Sequence, residues 1–173
     1  MCGRSGAAAG AAVIAPAMIA YDYAVLRAVP HPQLGAAVRS VAVGVVVHAR
    51  TAGFLDLAVA DDAGWLAARV AGVDLELLGR YLRACRAVCR GEAGAAPWVH
   101  AVALAPTSER FHWITAPRSD VLQCAPVHGG LCDEPAAALA RLFALYVVGA
   151  DAPAPGGAAS GGPAPGSRST TTV

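Results

Sequence analysis

Lysine is missing from this sequence of 173 residues, and all 13 of its basic side chains are arginine. Charged residues are also few, at 14% of the chain, and the formal net charge is only +1. A chain with so little net charge has no overall field that attracts nucleic acids or anionic membranes. Any nucleic-acid role would therefore need a local basic patch. Arginine without lysine, beside abundant alanine, is typical of codon usage in GC-rich bacterial genomes, so we expect a bacterial protein.

Long apolar runs are missing too, although 56% of the residues are hydrophobic and the mean hydropathy is +0.50. Alanine, glycine and valine carry this average. No uncharged, strongly apolar stretch reaches the roughly 18 residues that mark a candidate membrane-spanning helix. The sequence therefore predicts no membrane association.

A disulfide framework is not indicated, because the cysteines are odd in number and scattered along the chain. Small secreted domains that depend on disulfides usually carry even sets at regular spacings. We expect free, mostly buried thiols in a reducing cytoplasm. The five cysteines are Cys2, Cys85, Cys89, Cys124 and Cys132.

Both ends of the chain lack the pattern of a folded domain. Residues 1–20 imitate a signal peptide only weakly, since Leu and Phe are absent, and we favour an over-extended gene start with Met18 as the initiator. This N-terminal extension is expected to be disordered or not part of the native protein. Residues 151–173, rich in Pro, Gly, Ala and Ser, predict a disordered tail. Between them, residues 21–150 have a length that suits one domain.

Three strands are predicted in the first half of that domain. Tyr21–Pro30 alternates and is rich in aromatic and β-branched residues, and Val41–His48 is a nearly continuous β-branched run typical of a central strand covered on both faces. Phe54–Ala60 follows after a short link, which favours an antiparallel hairpin. Gly44 indicates a bulge or a close backbone approach. The three strands predict a meander.

Helices are predicted after the strands. Asp61 or Asp62 caps a short helix that runs to Val70, Asp74 caps a longer one, and a last helix opens at Pro135. The helix from Asp74 has an apolar stripe (Leu75, Leu78, Leu82, Cys85 and Cys89) and, opposite, an arginine row (Arg80, Arg83, Arg86 and Arg90). The fold class is therefore α+β: an antiparallel β-meander packed by two to three helices. Tryptophans are expected to anchor the core; they are Trp65, Trp98 and Trp113.

The densest polar cluster lies in the segment Ser108–Cys132, which we expect to be irregular or short-stranded. In an extended chain Arg110 and His112 would face outward together, and a turn at Pro117 would bring Arg118 beside them. Arginines with hydroxyls and imidazoles can hold a phosphate or carboxylate. The competing interpretation is that the arginines pair with nearby carboxylates and only shape the segment. The candidate residues are Ser108, Glu109, Arg110, His112, Arg118, Ser119, Gln123 and His128.

Catalysis and metal binding are weaker interpretations of the same segment. His112 or His128 is the right residue type for a general acid or base, but no nucleophile is identifiable by spacing. Cys124, His128 and Cys132, with His112, could supply four zinc ligands, yet the usual cysteine knuckle is missing. We therefore expect no metal and no cofactor. The arginine row could track the phosphates of a nucleic acid, but such a row is more often a solvated helix face, so we do not expect a nucleic-acid partner.

Two segments carry a resemblance to a known family. YDYAVLRAVPHP with VGVVV and GFLDLAVA, and then SERFHWITAPRSDVLQCAPVHGGLC, resemble the bacterial family called domain of unknown function 3037, over about residues 21–148. The resemblance carries no established activity. It implies a small bacterial protein with a protein partner, a kinase-like protein. Where the family pattern has glutamate and asparagine before the central strand, this chain has Arg39 and Ala42.

The function predicted from these patterns is non-catalytic binding or regulation in the cytoplasm. The segment Ser108–Cys132 would hold an anionic group or a protein partner. The alternative is an enzyme acting on a phosphorylated or carboxylated substrate, with His112 or His128 as acid/base. An enzyme should gather its polar groups in one concave pocket that holds at least one histidine with a strongly shifted pKa. A binding module should instead present them flat on the surface or beside an exposed apolar patch.

Overall fold

A computed structural model describes residues 17–30, 39–94, 97–117 and 121–149. The expected tail at residues 151–173 and most of the expected N-terminal extension lie outside these ranges, as do Arg118 and Ser119. The first strand begins at Ile19, two residues before the predicted start.

An antiparallel sheet is built around its first strand. Strands β1 (Ile19–Ala28), β2 (Val41–Ala49) and β3 (Phe54–Val59) pair in chain order, which confirms the predicted meander. The other edge of β1 pairs with two short strands, β4 (Leu122–Cys124) and β5 (His128–Cys132). These two strands run along β1 one after the other, so the second half of the polar segment lies on the sheet.

Gly44 marks a bulge in β2, as predicted. The pairing passes from Leu26 with Gly44 to Arg27 with Ala42, so β2 carries one extra residue. A Cβ atom on Gly44 would also lie 2.9 Å from the carbonyl oxygen of Ala58, so the backbones approach closely there. The bulge changes which way the following residues face.

Five α-helices lie in the described ranges, and an aspartate side chain caps two of them. Asp62 and Asp74 accept hydrogen bonds from the amides of Trp65 and Leu77, which confirms both predicted caps. Gly91, with φ of 72°, ends the long helix in the left-handed region. The helices are α1 (Ala63–Arg69), α2 (Leu75–Arg90), α3 (His100–Ala103), α4 (Thr107–Thr115) and α5 (Pro135–Phe143), and a π-helical turn (Ala144–Val148) extends α5.

The sheet is covered on both faces, which makes β2 the buried central strand that its composition predicts. Helices α2 and α4 pack on one face, here called the α2 face, against residues such as Ala24, Leu26 and Val46. Helix α5 packs on the other, the α5 face, against Val25 and Val47. The sheet therefore separates two layers of side chains, and Ala60 and Trp65 pack against both of them.

The orientation of α2 is the predicted one. Leu78, Leu82 and Cys85 are buried, whereas Arg83 and Arg90 are exposed. The tryptophan prediction is wrong for one residue. Trp65 and Trp113 pack against the core, but Trp98 is 51% exposed.

The prediction of an irregular or extended chain at the start of Ser108–Cys132 is also wrong. Residues Thr107–Thr115 form α4, in which Phe111 and Ile114, three positions apart, are the buried pair. This apolar spacing fits a helix, and the amide of Arg110 donates to the carbonyl of Pro106 at 3.0 Å as a helix requires. Two residues apart on a helix point to different sides, so Arg110 and His112 do not face outward together.

Candidate functional site

The residues of the predicted cluster lie on two sides of the sheet. Four of them belong to α4 and so to the α2 face: Ser108, Glu109, Arg110 and His112. Gln123 and His128 pair across the strands with Arg27 and Tyr23, and directly opposed residues project from the same face. That face is the α5 face, because Tyr23 and Val25 pack there. The structure therefore divides the cluster instead of gathering it.

Arg110 has a structural contact. Its Nη1 donates to the carbonyl oxygens of Val88 at 3.1 Å and Cys89 at 3.0 Å, in the last turn of α2. A cation there satisfies orphan carbonyls and complements the negative end of the helix dipole. The interpretation of Arg110 as a shaping residue is thus the better one. Its partner is the helix end rather than a nearby carboxylate.

His48 is a buried titratable residue that the sequence analysis did not single out. It is 5% exposed and its ring stacks on Phe111 with 5.2 Å between centroids. Burial lowers the pKa of His48 below its usual value, and the nearby charges of His112 and Arg50 add to this effect against an opposing one from Asp22. Its Nε2 finds no hydrogen-bond partner among the described residues. The alternation of β2, which buries every other residue on the α2 face, is the signal that could have located it.

A concave site that combines two arginines lies on the α5 face, beyond the end of the last helix, and is open to solvent. It is a cleft of about 510 Å³ formed by β1, the start of β2, α1 and the π-helical turn. Its lining, within the part of the chain that the structure describes, contains two guanidinium groups and two hydroxyl groups but no carboxylate. The lining residues are Arg27, Ser40, Val41, Ala42, Arg69, Leu145 and Tyr146.

Arg27 is held in place in this cleft by its neighbour Ser40. Its Nε donates to the Ser40 hydroxyl oxygen at 2.9 Å, and its Nη2 donates to the Ser40 carbonyl oxygen at 3.0 Å. These contacts leave Nη1 with no hydrogen bond to a described residue. Gln123 is the residue opposite Arg27 on β4, so one member of the predicted cluster lies beside this group.

Arg69 supplies the second positive charge of the cleft. Its guanidinium carbon lies 4.7 Å from the ring centre of Trp65, which is a cation–π geometry. Because the indole ring is neutral, this contact positions the guanidinium and leaves its charge in place. Arg69 follows Trp65 by one helical turn on α1, so the pair is set by the helix itself.

A row of aromatic residues leads from the cleft along β1. The hydroxyl groups of Tyr146 and Tyr23 are 2.9 Å apart, and the ring of Tyr23 lies 5.6 Å from that of His128. The hydrogen bond between Tyr23 and Tyr146, together with burial, raises the pKa of Tyr23 to about 12. His128 thus stands at the far end of this row and not in the cleft.

The family resemblance singled out Arg39 and Ala42. Ala42 is part of the cleft lining, whereas Arg39 is an exposed neighbour of Ser40 in the chain.

The considered zinc ligands do not share one side of the sheet. The Cys124 thiol donates to the carbonyl oxygen of Ile114 at 3.2 Å and so faces α4, whereas His128 lies on the α5 face. Within the described ranges, no group of three or more His, Cys, Asp or Glu side chains is placed to hold a metal ion. Among the same residues, none of the helices combines the length and the apolar character that crossing a membrane requires.

Comparison with known proteins gives one match. The model of a family described as protein of unknown function (DUF3037) matches residues 23–147. No curated protein and no solved structure matches the chain. The matched span runs from the middle of β1 to the end of the π-helical turn, and so contains both the cleft and the polar segment. The chain therefore belongs to the DUF3037 family of proteins of unknown function.

Proposed function

We propose that this protein is a non-catalytic binding or regulatory domain that holds an anionic group, phosphate or carboxylate, in the cleft of the α5 face. The observation that supports this most strongly is Arg27, fixed by Ser40 in a cleft with a second arginine and no described carboxylate in its lining. The proposal keeps the predicted class of function. It moves the site away from α4, and among the described members of the predicted cluster only Gln123 and His128 lie on the same face.

The charge of Arg27 and its fixed position both favour the binding of an anion in the cleft. Hydrogen bonds between a guanidinium and an anionic oxygen are roughly twice as strong as those between neutral groups. Because Ser40 already fixes Arg27 through two contacts, binding would order few further side-chain rotations, and this reduces the entropic cost of association. The Tyr146 hydroxyl is a further hydrogen-bonding group in the lining.

The alternative function is an enzyme that acts on a phosphorylated or carboxylated substrate. In that case His128 is the better acid/base candidate, because His112 lies on the opposite face of the sheet. The ring of Tyr23 lies between His128 and the cleft residue Tyr146. We favour binding over catalysis because the cleft itself is lined by no histidine, cysteine or carboxylate from the described chain.

We further propose that the protein acts in the cytoplasm of a bacterium and that its ligand is carried by a protein. The four described cysteines form no disulfide with one another, which is consistent with a reducing compartment. The family resemblance implies a kinase-like partner, so a phosphorylated segment of such a protein is the first natural ligand to test.

Mapping by NMR can test where an anion binds. Titration of the ¹⁵N-labelled full chain with O-phosphoserine should shift the amide signals of residues near Arg27, Ser40 and Tyr146 in a saturable manner. Titration with serine is the matched control, and it should shift them little. Saturable shifts confined to residues 108–112 on α4 would return the site to the position first predicted and defeat the proposal.

A further inference from the structure

Trp98 stands on the surface of the α2 face, where a large aromatic ring is unusual. It is 51% exposed, although two other rings hold it in position. Tyr81 meets it edge-on with 5.9 Å between ring centres, and Trp113 lies 6.2 Å from it. The ring is therefore both fixed and accessible, which is the state that a stacking platform requires.

Arginines of α2 surround this ring. Two adjoining depressions, of about 220 Å³ and about 320 Å³, share Trp98 and Arg80 in their linings. Arg83 and Arg86 line the larger one. Successive arginines three residues apart lie about 4.5 Å apart along the helix axis, so one phosphate group can contact two of them.

The arginines of this row are engaged to different degrees. Arg86 donates a hydrogen bond to Asp61 at 3.3 Å. Glu92, which pairs with Arg90 at 3.8 Å, is a carboxylate in the lining of the larger depression. Arg80 pairs with Glu76 at 3.8 Å, and both side chains are mostly exposed. Arg83 pairs with no carboxylate of the described chain. Exposed ion pairs contribute little stability, so exchanging such a partner for a ligand phosphate costs little.

We propose that Trp98 and the arginines of α2 form a binding site for a nucleoside phosphate. The base stacks on Trp98, and the phosphate binds between Arg80 and Arg83. This site lies on the other face of the sheet from the anion cleft and does not depend on it. The arginine row alone is typical of a solvated helix face. The structure places Trp98, from the turn Pro97–Val99 that follows α2, beside this row and against Tyr81. The same chemistry is offered by a free mononucleotide and by the end of a single-stranded nucleic acid.

Two probes distinguish these sources: AMP, and a 5′-phosphorylated, fluorescein-labelled dT12 oligonucleotide. Binding to the full chain is measured by calorimetry for AMP and by anisotropy for the oligonucleotide. We expect saturable binding of at least one probe. Trp98→Ala and Arg83→Ala should each weaken it by tenfold or more, and Trp98→Phe should retain most of it. Adenosine, without the phosphate, should bind at least tenfold more weakly than AMP if the mononucleotide is the ligand.

Two control variants keep the result independent of the anion cleft and of general charge. Arg27→Ala and Arg141→Ala should leave binding of the probe unchanged, since neither residue lies near Trp98 in the described linings. If Trp98→Ala does not fold by circular dichroism, Trp98→Phe and Arg83→Ala decide the matter. Absence of saturable binding for both probes overturns the proposal. So does equal weakening by Arg141→Ala, or displacement of the probe by polyglutamate as effectively as by unlabelled dT12.

Discussion

The guanidinium Nη1 of Arg110 lies 3.0 Å from the carbonyl oxygen of Cys89, at the end of α2. The sequence suggested that Arg110 binds an anion, but its guanidinium is joined to the end of α2. The same side chain approaches Gly91, where a Cβ atom would lie 3.2 Å from Nη1. The junction of α2 and α4 depends on this arginine.

We therefore expect Arg110→Ala to lower the free energy of unfolding by about 1.5–3 kcal/mol, as is usual for hydrogen bonds made by a charged group. Urea melts of the full chain would measure this loss. Glu109→Ala, at an exposed neighbour on the same helix, is the matched control and should change stability by about 0.5 kcal/mol or less. An Arg110→Ala protein as stable as the wild type would remove the structural role.

Stability should depend on pH through His48. Its pKa is lowered in the folded state by burial, so the unfolded chain binds more protons as the pH falls below the usual value of about 6.5. Stability should then decrease as the pH falls from about 6.5 toward the lowered pKa. His48→Phe, which keeps a ring against Phe111, should lose this part of the dependence. Urea melts of both proteins between pH 5 and 8 would give the free energy of unfolding at each pH, and the difference between them isolates His48 from the other histidines. If this free energy varied with pH in the same way in both proteins, His48 would not be the source of the dependence.

Because of its contact with Tyr146, Tyr23 should ionise at a higher pH than an ordinary tyrosine. Tyr146→Phe removes the hydrogen bond that raises the pKa of Tyr23 to about 12, so one tyrosine should titrate closer to its usual value near 10. In the wild type this contact contributes stability that is complete below about pH 10 and is lost as the pH rises toward 12. Absorbance at the tyrosinate band during alkaline titration measures the change. Tyr21→Phe is a control that should leave the late step in place.

Local patterns were sufficient to predict the meander and the caps. The alternation of β1, the β-branched run of β2 and the caps Asp62 and Asp74 each depend on neighbours within a few residues, and the structure confirms them. Helix α4 was missed because Arg110-Phe111-His112-Trp113 alternates as a strand would. The deciding contact, Phe111 with Ile114 in the core, follows the helical period instead.

The cleft could not be predicted in this way, because no single segment carries it. Arg27 from β1, Ser40 before β2, Arg69 from α1 and Tyr146 from the last turn meet only after the sheet and α5 have packed. Each of these residues alone is unremarkable in the sequence. Gln123 was one of the candidate residues, but its neighbour Arg27 is nearly a hundred positions away in the chain and is revealed only by strand pairing.

If Arg27 binds an anion in the cleft, the affinity of the full chain for O-phosphoserine should depend on this residue. Calorimetric titrations would compare the wild type, Arg27→Ala, and Arg90→Ala, which removes the same charge from an exposed position on the opposite face. We predict that Arg27→Ala weakens binding by tenfold or more, which corresponds to about 1.4 kcal/mol, and that Arg90→Ala leaves it unchanged. Equal affinities for the wild type and Arg27→Ala, with both proteins folded, would contradict the account.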